Sequence, residues 1–258
     1  MDLSHKIAVV TGASSGLGRR FAVDFAKAGA VVTGLARRED QLCSLGEEMR
    51  QWSAESSTVV CDVTEIAAFA RTLAEVESHH GRIDVLVNNA GMNAPHGIVE
   101  DLSSYRSVME TNYFAAVAGT LTVLPGMRRR GNGIVVNVSS DSGRAPGPLE
   151  IAYGASKAAL SAFTESIALE LGGSGIHVHL LYPAWVPTAM GTAAVEAGMP
   201  TPPRAVRRSE AQVSRLLISR MGEPKIDIDA AFVARLAPMA RLLFPRLYKR
   251  GVRKAAGK

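Results

Sequence analysis

Lys6-Ile7-Ala8-Val9-Val10-Thr11-Gly12-Ala13-Ser14-Ser15-Gly16-Leu17-Gly18 decides the reading of this chain. A short apolar run with β-branched residues reads as a buried strand, the glycines turn it sharply, and a helical pattern begins at once. Glycine accepts positive φ and close backbone approach, so the amides of such a turn and the N-terminus of the helix behind it can face a phosphate. The glycines alone are weak evidence; their place between a first strand and a first helix carries the weight.

The same alternation runs outward along the chain. Strands are expected at 6–11, 30–36, 57–61, 83–88, 133–139 and 176–182, with helices at 16–28, 40–52, 65–80, 103–130 and 151–172. Apolar strands spaced by long helices build βαβ units, and right-handed crossovers wind them into an α/β doubly wound parallel sheet covered on both faces. One more helix at 209–221, capped by Ser209, and an edge strand at 225–228 bring the count to about seven strands. Between them, a stretch at about 184–208 rich in proline and small residues reads as a lid loop.

At 258 residues, 47% of them apolar, the chain is long enough for one such domain and short for two. No apolar run reaches the roughly 18 residues that span a bilayer, and the amino terminus shows no export signal. Cys43 and Cys61 lack metal-ligand spacing and read as free thiols in a reducing compartment, so a cytoplasmic location is expected. No cluster of His and Cys suggests a metal. The net charge is +5, but eight basic and no acidic residues follow Asp229, so the excess belongs to the tail and a nucleic-acid partner is not expected.

The turn has the form Thr-Gly-x-x-x-Gly-x-Gly, and with it the chain resembles the short-chain dehydrogenase/reductase family, whose fold is Rossmann-like. The resemblance covers roughly residues 5–190 and implies a nicotinamide cofactor held by Gly12, Ser14, Ser15, Gly16, Leu17 and Gly18. At the end of the second strand, where a carboxylate would accept the ribose hydroxyls of NAD, stand Arg37 and Arg38. Guanidinium groups there suit the 2′-phosphate of NADP(H), although they would also serve as a solvated helix start. NADP(H) is therefore expected, with NAD(H) as the alternative. The resemblance further implies adenine contact by Asp62 and Val63. It gives Asn89, Ala90 and Gly91, in the family's Asn-Asn-Ala-Gly motif, a place close to the cofactor. In the segment Pro183-Ala184-Trp185-Val186-Pro187-Thr188, Pro183, Val186 and Thr188 are expected to hold the nicotinamide carboxamide. Ala184 departs from the family's glycine there, which puts the loop path in question.

Tyr153 and Lys157 stand four apart in an expected helix, so both project from one face and an ammonium can sit near a phenol. A nearby positive charge favours phenolate, which would bring the tyrosine toward use as a general acid or base. The pair alone is common by chance. Its context resembles the family's active-site segment, in which the catalytic serine lies thirteen residues before the tyrosine; that spacing selects Ser140, with Ser139 and Ser142 as alternatives. Asn112 takes the place of the family's asparagine, which holds a water beside the lysine. The reaction implied is hydride transfer between cofactor and the carbonyl or secondary alcohol of a moderately apolar small molecule, the walls being apolar around 92–97, 145–149 and the lid. A non-catalytic nucleotide-binding or scaffold protein of the same fold is the alternative. The family also implies a homodimer or homotetramer.

The last segment, about 230–258, carries Phe232, Leu236, Met239, Leu243 and Leu247 at helical spacing among arginines and lysines, with Pro238 and Pro245 breaking it into short pieces. Packing on the domain or a partner is the favoured reading, and peripheral contact with anionic lipid the other.

Overall fold

The computed structural model describes residues 2–94, 98, 101–231 and 235–255. Phe232 of the expected stripe, Lys258 of the basic tail and residues 95–97 of the expected substrate wall lie outside them.

Seven strands form one parallel sheet: β1 (Ile7–Thr11), β2 (Val31–Ala36), β3 (Ser57–Val60), β4 (Val85–Asn88), β5 (Gly133–Val138), β6 (Ile176–Tyr182) and β7 (Asp227–Asp229), in the order β3-β2-β1-β4-β5-β6-β7. Successive side chains of β1 point to opposite faces. Ala8 and Val10 join a core with Phe21 and Phe25 of α1 (Gly16–Lys27), Leu42, Leu45 and Met49 of α2 (Glu39–Arg50) and Val213 and Leu217 of a later helix. Ile7 and Val9 join the opposite core, with Phe69, Leu73 and Val76 of α3 (Ile66–His80) and Val123, Leu124 and Met127 from beyond β4. Covering on both faces explains why these strands are continuously apolar instead of alternating.

The order of winding reverses between β1 and β4, which are themselves parallel, and this is the switch point where sheets of this order open a crevice beyond their carboxyl ends. The expected helix at 103–130 is continuous but not uniform. It comprises α4 (Leu102–Met109), a π-helical turn over Glu110–Phe114 and α5 (Ala115–Arg130). The wider turn carries Asn112, which is 1% exposed. Such bulges occur often at functional sites. Beyond β5 comes a four-residue helix not expected from the sequence, α6 (Asp141–Arg144), then α7 (Ile151–Glu170). The lid holds α8 (Ala189–Glu196) and a single 3₁₀ turn (Arg204–Val206), and α9 (Glu210–Arg220) follows, opened by a capping box between Ser209 and Gln212. The tail forms α10 (Leu236–Leu243) and α11 (Pro245–Ala255).

Candidate active site

A cleft of about 780 Å³ opens over the switch point. Its floor is the turn after β1. A Cβ on Gly12, whose φ is +66°, would stand 2.8 Å from the Ala90 Cα, and one on Gly18 would stand 2.3 Å from the Gly12 carbonyl oxygen. Only glycines let this loop fold onto the β4 end, where Asn89 and Ala90 donate their amides to the Thr11 hydroxyl, each at 3.0 Å. Gly18 thus acts from behind the wall; Gly12, Ser14, Ser15, Gly16 and Leu17 line the cleft. Ser15 begins α1 without a side-chain cap, so the first amides of that helix are left to meet an anion from the cleft.

At the β2 end, Arg38 lies across the turn, its guanidinium donating to the Ser14 hydroxyl at 2.8 Å and the Ser15 hydroxyl at 2.6 Å. Three donor groups therefore converge on one spot beside the second strand. Arg37 points outward, 76% exposed, and pairs with Asp62 at 3.6 Å. Burial pushes the Asp62 carboxyl up, but hydrogen bonds from the Thr64 amide and hydroxyl and the charge of Arg37 outweigh it and hold the group ionised below its usual range. Val63, Asn89, Ala90, Gly91, Pro183, Val186 and Thr188 line the rest of the cleft, as expected from the sequence. A dinucleotide fits these walls: the glycine floor has no Cβ to fill it, and Arg38 with both serines offers a pocket for a terminal phosphate.

The catalytic candidates meet at the opposite end. Gly143 lets α6 lie directly on α7, since a Cβ there would stand 2.8 Å from the Lys157 carbonyl carbon. That contact brings Ser140, the N-cap of α6, beside Tyr153, where its hydroxyl works to lower the phenol's pKa. The other serines are occupied elsewhere: Ser139 is buried against Ser161 and the Lys157 carbonyl, and Ser142 donates to Glu150 at 2.7 Å. Of the three, Ser140 is the one placed for chemistry. Lys157 is 4% exposed, and its ammonium donates to the Val138 carbonyl at 2.8 Å while standing 5.7 Å from the Tyr153 ring.

The surroundings of Tyr153 and Asn112 differ from what spacing alone suggests. Lys157 was expected to lower the tyrosine pKa, yet burial pushes the phenol up to about 12, the Ser140 hydroxyl opposes this, and the carboxylates of Glu150 and Asp141 add to it. The same burial brings the Lys157 ammonium down to about 8. Burial thus favours the protonated phenol here, while the Lys157 ammonium is turned to the Val138 carbonyl. Asn112, for its part, does not line the cleft. Its side-chain amide accepts from the Met92 amide at 2.8 Å and donates to the Met92 carbonyl at 2.9 Å and the Ser156 hydroxyl at 3.0 Å. It clamps the backbone after Gly91, and its amide oxygen keeps a second lone pair for a further donor.

Several functional candidates escaped sequence reasoning. Asn93, Asp141 and Glu150 bring polarity to an end of the cleft expected to be apolar, though Met92, Trp185, Met190 and Met199 keep its other walls apolar. Asn93 donates to Glu150 at 3.1 Å. Burial pushes the Asp141 carboxyl up to about 6, against the pull of Arg144 and with the help of Asp229. Arg144 anchors the whole turn: it is bound to Asp229, pairs with Asp227 at 2.7 Å and stacks on the Tyr182 ring. Ala184 adopts φ +62°, the conformation that the family's glycine would take without strain.

Comparison with known proteins agrees with this geometry. A family model for short chain dehydrogenases matches residues 6–198. The chain is similar to dehydrogenase/reductase SDR family member 7B of Bos taurus, 35% identical over 95% of this chain and 80% of that protein. It is 40% identical to a short chain dehydrogenase of Pseudocercospora fijiensis, over 74% of this chain and 62% of that one. Among solved structures, a short-chain dehydrogenase from Streptomyces avermitilis superposes with a TM-score of 0.82 at 27% identity, covering 98% of both chains. An actinorhodin polyketide ketoreductase variant bound to NADPH superposes with a TM-score of 0.78 at 28% identity, covering 88% of this chain and 96% of that one.

Proposed function

The chain belongs to the short-chain dehydrogenase/reductase family and is an NAD(P)-dependent oxidoreductase, and from that premise we propose that it prefers NADP(H) and reduces the carbonyl of a mostly apolar small molecule, with Tyr153 as general acid. The cofactor preference is carried by Arg38 across Ser14 and Ser15, where charge-assisted bonds would reach a 2′-phosphate. Bound NADPH supplies the hydride.

Ser140 donates its hydroxyl hydrogen to the substrate carbonyl oxygen, and Tyr153 delivers a proton to that oxygen as negative charge develops. A phenol held near 12 is fully protonated at neutral pH, the state reduction requires; oxidation of an alcohol would need the phenolate. Lys157, charged below about pH 8, can exchange the Val138 carbonyl for ribose hydroxyls and so bring its charge to bear on the phenol. Asn112 acts by fixing the Met92 backbone beside both.

Exposed Phe114, Leu121, Ile151 and Leu169 on the π turn, α5 and α7 support pairing of copies of the chain into a homo-oligomer. Two free thiols, Cys43 and Cys61, support a cytoplasmic setting. The test is a panel of ketones and aldehydes followed by loss of reduced-cofactor absorbance. Turnover with NADPH well above that with NADH supports the proposal; preference for NADH overturns the cofactor assignment, and no turnover of any carbonyl overturns the reaction.

A further inference from the structure

Packing of the tail's apolar stripe on the domain or a partner was the favoured reading, and the described part of that stripe is not buried on the domain. Hydrogen bonds tie α10 and α11 to the domain: Arg241 donates to the Arg144 carbonyl at 2.9 Å, and the Tyr248 hydroxyl to the Pro146 carbonyl at 3.1 Å. Arg235, just before α10, is bound to Asp229. Small or half-buried residues, Ala237 and Ala240 among them, turn inward. Outward stand Leu236, Met239, Leu242, Leu243, Phe244 and Leu247, each more than half exposed and Leu242 81% exposed. Beside them, α11 displays Arg246, Lys249, Arg250 and Arg253, all exposed.

A contiguous apolar patch of this kind marks an interaction surface, and its composition selects the partner. Nucleic acid would meet the charge but leave six large apolar side chains against a polar backbone. A second copy docking face to face would cover the apolar residues but oppose basic residues to basic residues, since no acidic residue follows Asp229. A membrane with anionic headgroups satisfies both halves of the surface: aliphatic side chains enter the acyl boundary while arginine and lysine remain among the phosphates. We propose that α10 and α11 dock the enzyme on an anionic lipid surface. The polar bonds to Arg144 and Pro146 hold the two helices against the catalytic turn, so the docked body is the whole domain and not a loose tether.

Flotation of the full-length chain with phosphatidylcholine vesicles, with and without phosphatidylserine, tests this without any need for turnover. The chain is expected to float with the phosphatidylserine vesicles, to be released by high salt, and to stay behind with phosphatidylcholine alone. Arg246→Gln/Lys249→Gln/Arg250→Gln should weaken partitioning by roughly a hundredfold, at about fivefold per lost basic residue. Leu242→Glu/Leu247→Glu should abolish it, with NADPH binding retained as the check that the domain is folded. Failure of the wild-type chain to float, flotation independent of lipid charge, or unchanged flotation of both variants overturns the proposal. So does light scattering in which Leu242→Glu/Leu247→Glu splits an oligomer, which would assign the face to a second copy of the chain.

Discussion

Replacing Lys157 with methionine should make the cofactor-free protein more stable while removing its activity. The ammonium sits in a buried site that lowers its pKa from the ordinary 10.5 to about 8, and at about 1.4 kcal/mol per unit the charged form is disfavoured by about 3 kcal/mol at pH 7. Methionine keeps most of the stem and discards the charge. The Val138 carbonyl loses its 2.8 Å donor, a cost of about 1 kcal/mol. The net expectation is a gain of about 2 kcal/mol at pH 7. Because the folded value lies below the unfolded one, the unfolded chain binds more protons between about pH 8 and 10.5, so wild-type stability rises with pH across that window. The variant lacks this rise, and its advantage should shrink as pH climbs. Urea denaturation without cofactor, at pH 7 and again near the upper end of the window, measures both effects. A variant no more stable than wild type at pH 7, or an advantage that ignores pH, would refute the claim that burial of this charge strains the site.

The same geometry predicts other outcomes. Arg38→Ala should raise KM for NADPH by roughly tenfold to a hundredfold, the worth of a lost charge-assisted contact of about 1.5–3 kcal/mol, with KM for NADH nearly unchanged; Arg37→Ala, at an exposed side chain already paired with Asp62, should do less in the same steady-state assay. Ala184→Gly should relieve a left-handed backbone that costs about 1–2 kcal/mol, leaving about 0.5–1 kcal/mol of stabilisation after glycine's greater unfolded-state entropy. Thermal unfolding should show a rise of about 2 °C, and a fall would mean that the loop gains something from the methyl group. Ser140→Ala should lower kcat by roughly 10²–10³ through loss of the donor to the developing oxyanion, whereas Ser142→Ala should cost far less; equal losses would return the choice among the serines to the open state it had in the sequence.

The parts of this molecule legible in its sequence are those fixed by local sterics. Gly12 and Gly18 have no substitute where the β1 turn meets Ala90 and Asn89, and the buried strands show their two-sided covering in apolar residues on both faces, as in the Ile-Ala-Val-Val of β1. The π turn was not legible, because one wider turn inside a long amphipathic helix leaves no periodic mark around Asn112. Nor was α6, whose four residues are held by Arg144 reaching Asp227 and Asp229 on the far edge strand. Four-residue spacing placed Tyr153 and Lys157 on one face correctly, but spacing carries no information about dielectric, so the sign of the phenol's shift was missed. The tail shows the same limit: an apolar stripe can be read from the sequence, but which way it turns depends on what Arg241 and Tyr248 bind.

The central claim is that Tyr153 supplies the proton in a carbonyl reduction. Single-turnover hydride transfer from NADPH by Tyr153→Phe, with cofactor affinity measured on the same sample, tests it most directly. The phenyl ring keeps the packing and removes the one acidic hydrogen, so affinity should stay within about threefold while the transfer rate falls by roughly 10²–10⁴. Transfer at a near wild-type rate would contradict the account.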